Sequence, residues 1–248
     1  MNIGKIKEKS LKKLEGNYII PIIAIIVYGL ILFLAGVISK LIYNENMNAF
    51  FSLIITGLLY MGLLEITIKI ARGKKTDIMD LFKRTDLFWK CIAITIILVT
   101  FTLLCTVLEF VAFKSLRAFA IYQTDLNVMV TGLMIAIGVL LCSAIATFYI
   151  AIMISCSQAY YVLYENENMP VIDILNRSMD LMETHRLDYI LYILSFAGWI
   201  IVGIMTFGLL FIWVTPYMMV SNANFYDEII KIEEKENNNK KKEKKSKK

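Results

Sequence analysis

The sequence predicts an all-α polytopic membrane protein with six transmembrane helices and two cytoplasmic amphipathic helices. Of its 248 residues, 58% are hydrophobic and 19% are charged, and the mean hydropathy is +0.65. This composition departs from that of soluble domains. The apolar residues fall in blocks of about 20 or more, the length that a helix needs to cross a hydrocarbon core of about 30 Å. A helix is favoured inside lipid because it pairs its own backbone groups.

The N-terminal half contains a basic segment and three predicted spans. Residues 1–17 carry five lysines and form a cytoplasmic segment before the first span, Tyr18–Ser39. That span is longer than the apolar part of a cleaved signal peptide, so it predicts an uncleaved signal anchor. A polar link, Asn44–Asn48, leads to the second span, Ala49–Ala71, and the third span is Leu87–Phe113.

Two further segments have the pattern of helices that lie at the membrane surface. In Asp77–Lys90, the apolar residues Ile78 and Leu81 share one helical face. In Val171–Arg186, apolar residues recur at helical spacing after Pro170, a residue that suits a helix start. We expect both helices on the cytoplasmic side.

The C-terminal half contains two long apolar stretches. The first, Val128–Cys156, continues to Tyr164 without a helix breaker, so it predicts one long helix that tilts or projects beyond the bilayer. The second, Tyr189–Val220, is too long for a single crossing, since about 1.5 Å per residue would make it far longer than the hydrocarbon core. It is divided into two short spans at Met205–Gly208. The predicted six-helix membrane domain therefore covers residues 18–230.

The distribution of positive charge sets the predicted topology. With six spans, 23 of the 26 Lys and Arg residues lie on the side of both termini, and only Lys40, Lys114 and Arg117 lie on the other. This matches the positive-inside bias, and we therefore expect both termini in the cytoplasm of a cell membrane. Residues 231–248 predict a disordered basic tail, whose lysines would attract anionic lipid by about 1 kcal/mol each close to the surface. Without interleaved aromatic residues, the tail does not predict nucleic-acid binding.

The usual signals of catalytic and metal sites are missing from the sequence. The four cysteines lie in apolar runs without a C-x-x-C pair, and His185 is the single histidine. The motifs of serine hydrolases, zinc hydrolases and P-loop nucleotide hydrolases are also missing. We therefore expect a protein that is not an enzyme and that needs no cofactor or metal.

Glu65 is the clearest ionisable residue within a predicted span. A charge in hydrocarbon costs at least about 2.5 kcal/mol, so such residues are candidates for transport or proton transfer. Lys69 follows at i+4 and Arg72 at i+7, near the cytoplasmic end of the span. An intrahelical ion pair that reaches the headgroups is the alternative interpretation.

The last apolar stretch predicts a tight helical hairpin. Gly198, Gly203 and Gly208 would allow close backbone approach between its two helices, and Ser195 and Thr206 would form hydrogen bonds across them.

Pro216 removes one helical hydrogen bond within the predicted sixth span. The freed carbonyl would line a substrate path, or the proline would only kink a packed helix. Trp199 and Tyr217 are either interfacial anchors or core aromatic residues.

A family resemblance rests mainly on the final third of the chain. The pattern comprises Ser178-x-x-Leu181-Met182, Tyr189, Ser195-Phe196-Ala197-Gly198-Trp199, Thr206-x-Gly208, Trp213-x-x-Pro216-Tyr217 and Ala223-x-Phe225-Tyr226, with Gly62, Arg72-Gly73 and Leu81-Phe82 earlier. It resembles a bacterial membrane family catalogued as domain of unknown function 975. Many members carry a Pro-Gly pair in the fourth span, where this sequence has Ile152-Met153-Ile154. The resemblance implies a six-helix membrane protein and no particular activity.

Two functional hypotheses from different classes fit this pattern. The first is a non-enzymatic membrane scaffold or accessory protein that works through the bilayer, its amphipathic helices and the basic tail. The second is the membrane-spanning permease subunit of an ABC-type exporter, in which the two cytoplasmic helices would contact a partner ATPase. The hypotheses differ in whether an ATPase binds and in whether Glu65 or Pro216 faces an aqueous path.

Overall fold

The computed structural model describes residues 1–42, 46–122 and 128–246, and this part of the chain is helical without a strand. Two 3₁₀ turns, Ile78–Phe82 and Thr85–Leu87, separate α3 from α4. The α-helices are α1 (Ile3–Leu14), α2 (Ile19–Ile42), α3 (Asn46–Ala71), α4 (Phe88–Tyr122), α5 (Val128–Ser155), α6 (Ala159–Glu165), α7 (Val171–Glu183), α8 (Arg186–Leu194), α9 (Ala197–Met205) and α10 (Phe211–Ser246).

Five segments of the described chain are long and apolar enough to cross a membrane, one fewer than the sequence predicts. They are Ile19–Leu41, Ser52–Ala71, Ile78–Ala118, Val130–Glu165 and Arg186–Met205. The predicted sixth span is the start of α10, whose apolar part ends at Val220. Phe211–Val220 is about 15 Å long as a helix, half of the hydrocarbon thickness, so it is too short to count as a span by itself.

Helix α3 is the centre of the packed core. It contacts α1, α2, α4, α6, α10 and the first 3₁₀ turn, and the side chains of Met61, Leu64 and Ile66 are fully buried. The core lies around the C-terminal half of α3, where the short helices and the beginning of the long α10 meet it. Charged side chains in this half of α3 are therefore surrounded by protein.

Helices α4 and α5 pack against each other and leave large apolar side chains on their outer surfaces. Leu103 and Phe110 on α4 and Leu133 and Leu140 on α5 are each about 60% exposed. A soluble domain rarely leaves so much contiguous apolar surface uncovered. These two helices therefore present an apolar surface that fits contact with a lipid bilayer.

Helix α1, near the N-terminus, packs against the C-terminal helix α10. The buried Asn224 side chain of α10 donates a hydrogen bond of 3.0 Å to Ser10 Oγ on α1. Lys7 donates to the carbonyl of Ser195 at 2.8 Å and lies 4.2 Å from the centre of the Phe196 ring. The N-terminal segment, residues 1–17, therefore packs beside the part of α10 that follows Val220.

The segment Asp77–Lys90 does not form the predicted amphipathic α-helix. It contains two 3₁₀ turns, and α4 already begins at Phe88. The carbonyl of Leu81 packs directly on α3 at Gly62, and the Asp80 carboxylate accepts a hydrogen bond of 3.0 Å from the Asp77 N–H. The loop is therefore held against the core by its backbone, which a straight surface helix would not allow.

The predicted unbroken fourth helix is interrupted between α5 and α6, at residues 156–158. Ser178 of α7 donates a hydrogen bond of 2.8 Å to the carbonyl of Ser155, and the Ser157 N–H bonds to the carbonyl of Ile154, three residues back. Small polar side chains compete with helical hydrogen bonds in this way. The break occurs although this sequence has Ile152-Met153-Ile154 in place of a Pro-Gly pair.

The chain turns between α9 and α10 where the sequence predicts a division, and α10 then runs further than predicted. Phe207 and Gly208 have positive φ angles of 51° and 88° in this turn. The helix continues to Ser246, whereas the composition predicts a disordered tail from residue 231. Strong helix formers such as Lys and Glu dominate this segment, which favours continuation of a helix that is already nucleated. The predicted link Asn44–Asn48 lies partly outside the described residues.

Candidate functional site

Glu65 forms ion pairs with two basic residues on one side of α3. Its side chain is 8% exposed, and the carboxylate lies 2.6 Å from Lys69 Nζ and 3.1 Å from Arg84 Nε. Lys69 is one helical turn away, whereas Arg84 comes from the loop between the two 3₁₀ turns. The second oxygen of Glu65 thus ties this loop to α3.

Asp80, in the first 3₁₀ turn, forms ion pairs with Lys69 and with Lys83. Its side chain is 2% exposed and lies 3.0 Å from Lys69 Nζ and 2.5 Å from Lys83 Nζ. Lys69 therefore bridges two buried carboxylates, Glu65 and Asp80. A buried charge is tolerated when it is paired and hydrogen-bonded, and both carboxylates meet this condition.

Arg84 extends the contacts to the loop between α6 and α7. It forms an ion pair with Glu167, and its guanidinium carbon lies 4.8 Å from the centre of the Tyr164 ring. Lys90 reaches the same loop, where it donates to the carbonyls of Glu167 at 2.5 Å and Met169 at 3.1 Å. We call this set the Glu65 network; it consists of Glu65, Lys69, Asp80, Lys83, Arg84, Lys90 and Glu167.

A second cluster lies at the C-terminal end of α3. Arg72 Nη2 is 2.5 Å from the Glu165 carboxylate at the end of α6 and 2.7 Å from the Asp227 carboxylate on α10. Tyr226 OH donates a hydrogen bond of 3.2 Å to the other oxygen of Glu165. We call these four residues the Arg72 clamp, because they connect three helices.

The protonation of the Arg72 clamp follows from its surroundings. Burial disfavours the charged guanidinium, but its hydrogen bonds to Asp227 and Glu165 outweigh this effect and raise the pKa of Arg72 above its ordinary value. Burial and the neighbouring Glu165 carboxylate raise the pKa of Tyr226. Tyr226 therefore stays a neutral hydrogen-bond donor at neutral pH, and Arg72 stays positively charged.

A third ion pair fixes α7 to α10. Arg177 contacts both carboxylate oxygens of Glu233, at 2.7 Å and 2.5 Å. Bidentate pairs of this kind define orientation as well as distance. Together with the Arg72 clamp, the pair holds α10 beside α3, α6 and α7.

The charged clusters join neighbouring parts of the fold by ion pairs. Their carboxylates face Lys and Arg side chains. Within the described ranges, no group of three or more His, Cys, Asp or Glu side chains is placed to hold a metal ion. His185 contacts Asp188 at 3.3 Å.

The structure places the predicted hairpin residues differently from the sequence interpretation. Ser195 Oγ donates to the carbonyl of Tyr192 and accepts from Lys7, so it does not bond across the hairpin. Thr206 Oγ1 donates to the carbonyl of Gly203 and accepts from the Leu210 N–H in the turn between α9 and α10. A Cβ atom at Gly198 would meet nothing within 4 Å. Of the three predicted glycines, Gly203 has the closest neighbour, since the Phe211 ring would lie 2.7 Å from a Cβ atom there, against 3.9 Å at Gly208.

The remaining candidates of the last third divide between the surface and the core. Trp199 is 48% exposed, which suits an interfacial residue. Tyr217 is 6% exposed, and its ring centre lies 5.1 Å from that of Phe196. Pro216 lies inside α10 and is buried.

Sequence reasoning missed Asp80, Arg84, Glu167 and Asp227 as partners of the candidate residues. Helical spacing suggests only pairs within one helix, such as Glu65 with Lys69. The other partners are 11 to 155 residues away in the chain and meet only after folding. The one signal of these partners in the sequence was the presence of both acidic and basic residues in the loops next to a span.

Comparison with known families gives a match over nearly the whole chain. The family described as "Protein of unknown function (DUF975)" matches residues 1–233. No curated protein and no solved structure is similar to the chain. The matched range includes the Glu65 network, the Arg72 clamp and Glu233.

Proposed function

The chain belongs to the DUF975 family of unknown function, and on this basis we propose that it is a non-enzymatic membrane scaffold or accessory protein. Its proposed location is the cytoplasmic membrane, with both termini and the two charged clusters on the cytoplasmic side. The observation that carries this proposal is the pairing of Glu65 with both Lys69 and Arg84.

Ion-coupled transport needs an ionisable group that alternates between protein and water. Glu65 is 8% exposed and is held by two cations from different segments of the chain. Breaking both contacts would leave the buried Glu65 carboxylate without either of its cations, and removing a partner from a buried ion pair costs about 3 to 5 kcal/mol. Glu65 is therefore better suited to fixing the first loop on α3 than to carrying ions.

The clusters also create a fixed surface at one end of the helices. The Arg72 clamp and the Arg177–Glu233 pair hold α6, α7 and α10 in defined positions. Ile172 of α7 remains 68% exposed on this surface. A rigid surface with exposed apolar residues is the form expected of a protein that docks others, because little order is lost on binding.

Purification of the tagged full-length protein in a gentle detergent, followed by mass spectrometry of the retained proteins, tests this proposal. We expect envelope proteins and lipids without an ATPase at stoichiometric amounts. A second multi-span protein with the same tag, expressed at the same level, identifies non-specific partners. A stoichiometric ATPase would overturn the proposal and favour the permease subunit of an ABC-type exporter.

Neutralising Glu65 separates a structural role from a transport role. We expect Glu65→Gln to lower the free energy of unfolding in detergent by about 1 to 2 kcal/mol, because the amide keeps the shape but weakens two charge-assisted contacts. The set of co-purifying proteins should not change. Glu234→Gln, at an exposed position on α10, is the matched control and should have no effect. Unchanged stability with altered partners or altered ion uptake would contradict the structural role.

A further inference from the structure

A polar groove lies between α1 and α10, beside the buried side chain of Asn224. Its volume is about 200 Å³, the space of about six water molecules at about 30 Å³ each. It is lined by Asn2, Lys5, Ile6 and Lys9 of α1 and by Asn224 and Glu228 of α10. These residues recur at helical spacing, so one face of each helix forms the groove. The groove therefore has room for a small polar molecule.

The side-chain oxygen of Asn224 has no hydrogen-bond partner in the described part of the chain. Asn224 is 1% exposed, and its Nδ2 donates to Ser10 Oγ at 3.0 Å and to the carbonyl of Val220 at 3.1 Å. Ser10 Oγ uses its own proton to bond the carbonyl of Ile6 at 2.7 Å, so it acts as an acceptor toward Asn224. Both neighbours of the amide nitrogen are therefore acceptors, which fixes the orientation of the amide group. Oδ1 is the free polar atom that Asn224 contributes to the groove, and it favours a ligand with an O–H or N–H group.

Two lysines of α1 give the groove a positive side. Lys5 is exposed and Lys9 is half-buried. Burial and the neighbouring Lys231 lower the pKa of Lys9, and the carboxylates of Asp227 and Glu228 offset this effect only in part. An anionic group placed beside Lys9 would therefore stabilise its charge.

Glu228 narrows the choice of ligand. Its carboxylate lies on the α10 side of the same groove, where it repels a bare anion and accepts hydrogen bonds from hydroxyl groups. A suitable ligand therefore carries an anionic group at the lysines of α1 and hydroxyl groups at α10. The phosphate ester of a small polyol has this pattern.

We propose that the groove between α1 and α10 binds the phosphate ester of a small polyol, such as glycerol phosphate. The phosphate pairs with Lys5 and Lys9, and the hydroxyl groups donate to Asn224 Oδ1 and to the Glu228 carboxylate. The ester is either a soluble molecule or the headgroup of phosphatidylglycerol. A headgroup is one of the two sources because residues 15–18 join α1 directly to α2, which is long and apolar enough to cross a membrane. The site does not depend on the scaffold function proposed above.

Isothermal titration calorimetry of the full-length protein in phosphatidylcholine nanodiscs tests the site with glycerol phosphate as the probe. We expect n-propyl phosphate, which has the same carbon chain without hydroxyl groups, to bind at least about tenfold more weakly, because it leaves Asn224 Oδ1 unpaired. This comparison uses the unaltered protein and does not depend on the folding of a variant. Replacing both lysines, Lys5→Gln with Lys9→Gln, should weaken the binding of glycerol phosphate at least about tenfold. Lys235→Gln removes the same charge at an exposed position of α10 outside the groove and should leave the binding unchanged.

Nanodiscs of two further compositions distinguish the sources of the ester. One contains a minor fraction of phosphatidylglycerol, and the other contains the same fraction of phosphatidylserine, which carries the same charge without a glycerol headgroup. Weaker binding of glycerol phosphate in the phosphatidylglycerol nanodiscs alone would assign the groove to the lipid headgroup, and equal binding in both would assign it to the soluble ester.

Three results would overturn the proposal. The first is no measurable binding of glycerol phosphate in phosphatidylcholine alone, which would leave the groove to water. The second is equal affinity for n-propyl phosphate, which would mean that the hydroxyl groups are not recognised. The third is an unchanged affinity after both lysines are replaced, since the phosphate would then bind elsewhere.

Discussion

Replacing Gly62 by alanine is expected to destabilise the protein by about 3 kcal/mol. A Cβ atom at this position would lie 1.8 Å from the carbonyl oxygen of Leu81, 2.4 Å from its carbonyl carbon and 2.7 Å from its Cα. All three are backbone atoms, so no side-chain rotation can relieve the overlap. The first 3₁₀ turn would have to move away from α3 and would weaken the contact between Asp80 and Lys69.

Thermal unfolding in detergent and the amount of protein in the membrane measure this effect. Gly198→Ala and Gly29→Ala are matched controls, because a Cβ atom at either position meets nothing within 4 Å. Alanine favours a helix over glycine by about 1 kcal/mol, so both controls should be neutral or slightly stabilising. A Gly62→Ala protein with the stability of the controls would show that the loop does not pack on α3 in this way.

The long helices were predictable from the sequence because their signal is local. An apolar run of about 20 residues must be helical in lipid, so α2 and α3 begin and end close to the predicted limits, and α5 begins at the predicted residue. The turn at Gly208 was also predictable, since the apolar stretch exceeded one crossing. The number of spans was harder to predict, because the apolar part of α10 ends after about half the thickness of a bilayer.

The details that depend on distant partners could not be predicted. Asp77–Lys90 has helical periodicity, but the contact of its backbone with Gly62 and the ion pairs of Asp80 and Arg84 favour 3₁₀ turns. The break before α6 requires Ser178 of α7 to take the carbonyl of Ser155. Tertiary hydrogen bonds override local propensity in both places.

In the candidate site, too, contacts between residues close in the sequence were predictable, and contacts between distant residues were not. Glu65 and Lys69 were accessible through their i+4 spacing, and their ion pair is present at 2.6 Å. Tyr226 was selected by the family resemblance, and its hydroxyl group contacts Glu165, 61 residues away. Which cations neutralise Glu65 and Glu165 depended on how the loops fold onto α3.

Asp80→Ala is expected to lower the free energy of unfolding by about 3 kcal/mol, the second of the two largest effects. The side chain is 2% exposed and contacts Lys69, Lys83 and the Asp77 N–H. Its removal leaves the Asp77 N–H without its acceptor and leaves Lys69 with one carboxylate instead of two. Asp86→Ala is the control, because Asp86 lies in the neighbouring 3₁₀ turn and is exposed.

A double-mutant cycle of Asp80→Ala with Lys69→Met shows whether these residues act as one unit. If Lys69 bridges Asp80 and Glu65, removing it together with Asp80 should cost at least about 1 kcal/mol less than the sum of the single changes. Additive losses would mean that Asp80 acts through its backbone hydrogen bond alone. Coupling of the expected size would instead establish that the first loop is fixed to α3 by shared charge. In that case the scaffold depends on the Glu65 network as well as on the apolar core.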